Sequence, residues 1–148
     1  MTTSQNYRPI EILLVEDNPG DVRLTQEAAR ETKVHNNMHI VSNGTDAMAF
    51  LHREGRFGSV PRPDLILLDL NMPGLDGREV LRRVKSDEQL RRIPVVIITS
   101  SQAEEDILRA YDLQASCYVT KPVDLEQFIK VVKSIENFWL TIVKLPLD

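Results

Sequence analysis

The chain lacks most of the features that staple, anchor or strongly charge a protein. Among its 148 residues there is one cysteine, Cys117, so no disulfide framework holds the fold, and a lone thiol fits a reducing cytoplasm. No stretch approaches the roughly eighteen consecutive apolar residues of a membrane helix, and Met1 to Pro9 is polar where a signal peptide would be apolar. Lys and Arg number 18 against 22 Asp and Glu, a net charge of −4, and no long basic run occurs, which removes the electrostatic footprint of a nucleic-acid binder. His35, His39 and His52 have no metal-ligand spacing and read as surface or helix-end residues. The length leaves no room for a separate output domain beside one ordinary domain, which at this size buries about two-thirds of its unfolded surface without a metal staple.

What is present is a regular alternation of apolar runs and amphipathic stretches. Ile10 to Val15 (IEILLV) reads as a buried strand, Pro19-Gly20 as a turn, and Asp21 to Thr32 as a helix with Val22, Thr25, Ala28 and Ala29 on its apolar face. A short strand over Met38 to Val41 and a helix over Thr45 to Arg53 follow, then an exposed loop from Glu54 to Pro63 holding two glycines and two prolines. Asp64 to Leu70 (DLILLDL) is the central strand. Asn71 to Gly77 is dense in turn residues, and Arg78 to Lys85 puts Val80, Leu81 and Val84 on one helical face. Val95 to Thr99 (VVIIT) is a β-branched buried strand. Ser101 with Glu104 has the form of a capping box opening a helix to Asp112. Ser116 to Thr120 is the fifth strand, and Asp124 begins a long last helix. The alternation predicts an α/β doubly wound, five-stranded parallel sheet, a flavodoxin-like three-layer sandwich, and if its order is 2-1-3-4-5 the first and third strands are neighbours where the order reverses.

In such sheets ligands sit beyond the carboxyl ends of the strands where the order reverses. Those ends carry Glu16 and Asp17, Asp69, Thr99 and Lys121. With the first and third strands adjacent, three carboxylates crowd together and repel, and an oxygen-only ligand set suits Mg²⁺ better than zinc. Lys121 supplies a mobile cation, Thr99 a hydroxyl, and the main chain of Asn71 lies beside the metal. The set suits phosphoryl transfer to a carboxylate, with Asp69, alone on the central strand, as the nucleophile.

At these residues the chain resembles the receiver domain of two-component response regulators. The motif elements are Glu16-Asp17, Asp69 as acceptor, Thr99 thirty positions later, Lys121-Pro122 and Tyr118 three residues before the lysine, over Ile10 to Ile135. The resemblance implies that Asp17, Asp69 and the carbonyl of Asn71 bind Mg²⁺ directly and Glu16 through water. It implies that Lys121 pairs with the phosphoryl group, that Thr99 and Tyr118 form a switch pair, and that Lys121-Pro122 is cis. The commonest receivers often carry two aspartates where Glu16-Asp17 stands, and glutamate reaches one methylene farther. The segment VEDNPGD at Val15 to Asp21, the loop near Phe57 to Pro63 and the apolar tail are similar to the stand-alone regulators that partner cyanobacterial phytochromes.

The expected organisation is an N-terminal arm at 1–9, a receiver body at 10–136 and an apolar extension of the last helix at 137–148. Phe128, Val131, Val132, Ile135, Phe138, Trp139, Ile142 and Val143 recur at helical intervals. Twenty helical residues span about 30 Å, beyond the roughly 17–20 Å of a typical strand, so the stripe with Phe138, Trp139 and Ile142 overhangs the core. A homodimer through it is expected; Thr141-Ile142-Val143 could instead be extended. The expected function is a cytoplasmic signalling switch, not an enzyme, that accepts a phosphoryl group from a sensor histidine kinase, with neither nucleic acid nor membrane as partner. Two alternatives remain. One is a phosphorylation-independent interaction module. The other is a haloacid-dehalogenase-type hydrolase, disfavoured by Asn71 two residues after Asp69, which cannot give the proton an aspartate would. Dinucleotide binding is weaker still, because Glu16-Asp17-Asn18-Pro19-Gly20 stands where G-x-G-x-x-G would be needed. Tyr118 and Thr99 also admit plain packing and backbone roles, and Cys117 reads as a small buried hydrophobe.

Overall fold

The computed structural model describes residues 8–71, 77–109 and 114–134. Five strands, β1 (Ile10–Val15), β2 (Asn36–Val41), β3 (Leu65–Asp69), β4 (Val95–Thr99) and β5 (Cys117–Thr120), are all parallel and lie in the order β2-β1-β3-β4-β5. Between and after them run α1 (Pro19–Glu31), α2 (Gly44–Leu51), α3 (Gly77–Ser86), α4 (Gln102–Arg109) and α5 (Leu125–Ser134).

Every residue of β3 and β4 is buried, as a strand covered on both faces requires. Alternation divides the apolar residues into two cores. Leu13, Val15, Ile66, Leu68, Val95, Ile97 and Tyr118 meet α2, α3 and Leu108 of α4. Ile12, Leu14, Leu65, Leu67, Val96, Ile98, Cys117 and Val119 meet Ala28 and Ala29 of α1 and Phe128 and Val131 of α5. Cys117 is buried. No helix among the described residues is long and apolar enough to cross a membrane.

The differences from the sequence reading have local causes. Pro19-Gly20 is not a turn before α1 but its first two residues: Asn18 is the cap, its Oδ1 accepting from the Asp21 amide at 2.9 Å, and a proline at the first position gives up an N–H that no helical carbonyl could use. β2 starts two residues earlier than expected because its polar Asn36 and Asn37 sit on a sheet edge, where alternation of burial is weak. His39 accordingly lies within β2, with Nε2 2.7 Å from Glu11 Oε1, whereas His52 does end α2. The 54–63 segment is not simply exposed: a 3₁₀ turn at Gly55–Phe57 lays the Phe57 ring 5.4 Å from that of Phe50, and Val60 packs on the same core. Ser101 Oγ caps α4 by accepting from the Glu104 amide at 3.2 Å, but the Glu104 carboxylate reaches back to the Ser100 amide rather than to Ser101. The end expected for this helix at Asp112, and the expected run of the last helix to Val143 with Phe138, Trp139 and Ile142, lie outside the described residues.

Candidate functional site

The carboxyl ends of the strands build the site. Glu16 follows Leu14 in the alternation and Asp69 follows Leu67, so both project towards the α1–α5 side, where they are 2% and 1% exposed. Asp17, one residue further, is exposed, and oxygens from Glu16, Asp17 and Asp69 lie within 4.8 Å of one another. Lys121, in the turn after β5, sends its Nζ into this group, 2.9 Å from Asp69 Oδ2 and 3.3 Å from Glu16 Oε2. The Lys121 amide donates to the Thr99 carbonyl at 2.8 Å, and the Lys121-Pro122 peptide is cis. Asp69 Oδ1 accepts the Asn71 amide at 2.9 Å.

Asp21 completes the group, its Oδ2 3.3 Å from Lys121 Nζ, and the sequence reading did not assign it to the site. The signal was available: a capping asparagine at Asn18 places the third residue of the helix, Asp21, in the first turn at the mouth of the switch point.

Three carboxylates, Glu16, Asp21 and Asp69, share one ammonium with Asp17 beside them, and the electrostatics reflect it. Burial, followed by the hydrogen bond and negative charge of Asp69, pushes Glu16 up to about 7. Burial pulls the Lys121 ammonium down, but the Asp69 hydrogen bond and charge, with Glu16 and Asp21, together carry it above the ordinary lysine value. The donor set is oxygen throughout, one member is exposed and its charge exceeds what Lys121 neutralises, which fits a small, partly hydrated divalent cation.

Two of the expected residues stand apart from the carboxylates. Thr99 follows Val95 and Ile97 on the opposite face of the sheet, and its buried hydroxyl turns to the Val119 carbonyl at 3.2 Å and the Ser101 carbonyl at 3.3 Å. Tyr118 pairs with Ile97 in the sheet register and is buried in the same core as Leu108 of α4.

Gly77 is a second residue missed from sequence, where it read only as part of a turn. A Cβ there would stand 2.7 Å from the Asp69 carbonyl oxygen and 2.8 Å from Leu70 Cα. The absence of a side chain lets α3 start directly against the strand end that carries Asp69.

A doubly wound sheet with an acidic cluster and one invading lysine at its switch point defines a class of aspartate-based phosphoacceptor domains. The family model described as "Response regulator receiver domain" matches residues 12–133, and the chain belongs to that family. It is 47% identical over 144 residues to the response regulator Rcp1 of Synechocystis sp., covering 97% of this chain and 98% of that one. Among solved structures it is similar to a phosphorylated cyanobacterial phytochrome response regulator, RcpA, with 50% identity, a TM-score of 0.74 and coverage of 90% and 96%. It is also similar to a Mn²⁺-bound form of response regulator Rcp1, with 47% identity, a TM-score of 0.73 and coverage of 93% and 99%. The chain is therefore a receiver related to phytochrome-associated regulators. It accepts a phosphoryl group on an aspartate and signals by a change of conformation rather than by turning over an external substrate, and its partner class is the sensor histidine kinase.

Proposed function

We propose that Asp69 is the phosphoacceptor, that Glu16, Asp17, Asp69 and the Asn71 carbonyl hold a Mg²⁺ ion, with Glu16 acting through water, and that the donor is a phytochrome-type sensor histidine kinase. The observation that carries this reading is the convergence of Lys121 and two buried carboxylates on one point, 2.9 Å from Asp69 Oδ2. A carboxylate held by the Asn71 amide on one oxygen and an ammonium on the other is already aimed and cannot rotate away. As Asp69 attacks phosphorus, a new P–O bond forms and the P–N bond to the donor histidine breaks, its electron pair returning to the imidazole. Lys121 is placed to follow the transferring oxygens, leaving its carboxylate partners as their charge is taken up. A bound Mg²⁺ would supply further neutralisation of those oxygens. The phosphorylated state of RcpA and the Mn²⁺ of Rcp1, in relatives near half identity, support the acceptor and the metal.

Thr99 and Tyr118 are proposed as the switch pair. The Thr99 hydroxyl donates to the Ser101 and Val119 carbonyls, so a phosphoryl oxygen would compete for the same proton, and drawing it across the sheet end disturbs the core that Tyr118 fills. Output would pass through protein contacts. The body is proposed to span 10–136 with an arm at 1–9, and the segment 137–148 is proposed to join two copies.

The test is intact mass after incubation with acetyl phosphate, with and without Mg²⁺, for the wild type and Asp69→Asn. One Mg²⁺-dependent phosphate that vanishes in the variant is the expected result. No adduct and no beryllofluoride complex would overturn the assignment in favour of a phosphorylation-independent module.

A further inference from the structure

Glu104, which opens α4, was read in the sequence only as a capping residue. Its Oε1 does more than that. The one oxygen accepts from the Ser100 amide at 3.1 Å and from Asn71 Nδ2 at 3.3 Å, so it joins the chain leaving β4 to the chain leaving β3. Its own amide is bonded to Ser101 Oγ at 3.2 Å, and the Glu105 amide to the Ser101 carbonyl at 3.0 Å, so the carboxylate springs from a fixed helix start.

The consequence falls on Asn71. Its amide is tied to Asp69 Oδ1 at 2.9 Å, which orients the peptide plane before its Cα. The carbonyl belongs to the next plane, and rotation about the Cα–C bond would swing it while leaving the amide bond intact. The side-chain tether to Glu104 gives the residue a second anchor point, and a residue held at both amide and side chain has its N–Cα–Cβ frame fixed, and with it the direction of the Cα–C bond and the place of the carbonyl carbon, so that only rotation about that one bond is left to the carbonyl oxygen.

We infer that Glu104 is a positioning residue for the cation site: through the Asn71 side chain it fixes the place of the Asn71 carbonyl carbon, from which the carbonyl oxygen joins the oxygen set of Glu16, Asp17 and Asp69. The inference rests on the reading of Asn71 as a ligand given above. It adds a residue from α4 to a site otherwise made by the ends of β1 and β3, the first turn of α1 and the turn after β5. It also makes cation binding sensitive to any displacement of α4, because the same helix carries Leu108 into the core shared with Tyr118.

The experiment is calorimetric titration of the full chain with Mg²⁺ for the wild type, Glu104→Ala, Glu104→Gln, Asn71→Ala and the Glu104→Ala/Asn71→Ala double variant, with a thermal melt of each in EDTA. Supporting groups of metal ligands typically change affinity about 10- to 100-fold. Glu104→Ala is expected to weaken Mg²⁺ about tenfold, at the low end because it acts through an exposed asparagine. Glu104→Gln, which keeps an acceptor oxygen, should stay within about twofold of the wild type, and Glu104→Ala should cause no further loss in the Asn71→Ala background. A lowered melting temperature with unchanged Mg²⁺ affinity would mean that Glu104 only caps α4, and would overturn the inference. Additive losses, or a glutamine variant as weak as the alanine one, would overturn it too. A wild type that binds no Mg²⁺ would instead remove the cation site itself, an outcome distinguished by the wild-type titration alone.

Discussion

Lys121 stands in the site as a cation among carboxylates, and its removal separates two quantities that are often assumed to move together. Lys121→Met keeps the aliphatic stem but leaves Asp69, Glu16 and Asp21 without their shared partner. Stripping one member from a buried ion group costs about 2 kcal/mol or more, so the Mg²⁺-free variant should melt below the wild type at pH 7.5. Its Mg²⁺ affinity, read by calorimetry, should rise, because no ammonium competes for Asp69. Glu16 gives the pH dependence. Its folded value of about 7 lies above the ordinary 4.5, so between these values the folded chain holds a proton that the unfolded chain has released. Stability from this group is therefore full below about 4.5 and lost as the pH rises through about 7. Chemical denaturation in EDTA should show that decline, and Glu16→Gln should flatten it. Which carboxylates and which lysine meet was legible from strand ends alone. Asp21 was not, because its part depends on how a cap turns the first residues of α1, and the resting orientation of Thr99 was not, because alternation across the sheet end decides it.

At the scale of elements, the start of α3 is a tightly constrained junction. Gly77→Ala would press a methyl group into the Asp69 carbonyl and Leu70 Cα, backbone atoms that cannot step aside cheaply. A loss of about 1–3 kcal/mol, as for overpacked cores, is expected in urea melts. Because the strain falls on the residue bearing the acceptor carboxylate, the rate of phosphate incorporation from acetyl phosphate should fall as well. At α1, Asn18→Ala removes the acceptor for the Asp21 amide and should cost about 1 kcal/mol. Elements with a strong internal period were legible to the residue, β4 being the case in point with five consecutive buried β-branched or small polar positions. Weak-period elements were not: β2 is a polar edge strand, and the 54–63 segment conceals a Phe57–Phe50 contact that no local pattern announces.

For the whole molecule, alternation and crossover handedness lead to a parallel sheet covered on both faces, while the order β2-β1-β3-β4-β5 enters the sequence reading only as a condition, because those rules admit more than one order of five parallel strands. The division of the core between two faces likewise follows from the pleat. Assembly is a matter for solution mass. If Phe138, Trp139 and Ile142 join two copies, light scattering should give a dimer for the full chain and a monomer after truncation behind Ile135; an unchanged mass would sink the dimer. The closing of the α1–α5 face also bears on how the chain is made. β1 is laid down first, yet the surface it shares with Ala28 and Ala29 is sealed by Phe128 and Val131, more than a hundred residues later. A nascent chain on the ribosome that stops short of Phe128 must leave the core that Ile12 and Leu14 share with α1 open on the side of α5. Protection of β1 from proteases should then arrive abruptly, when α5 clears the exit tunnel, and not strand by strand.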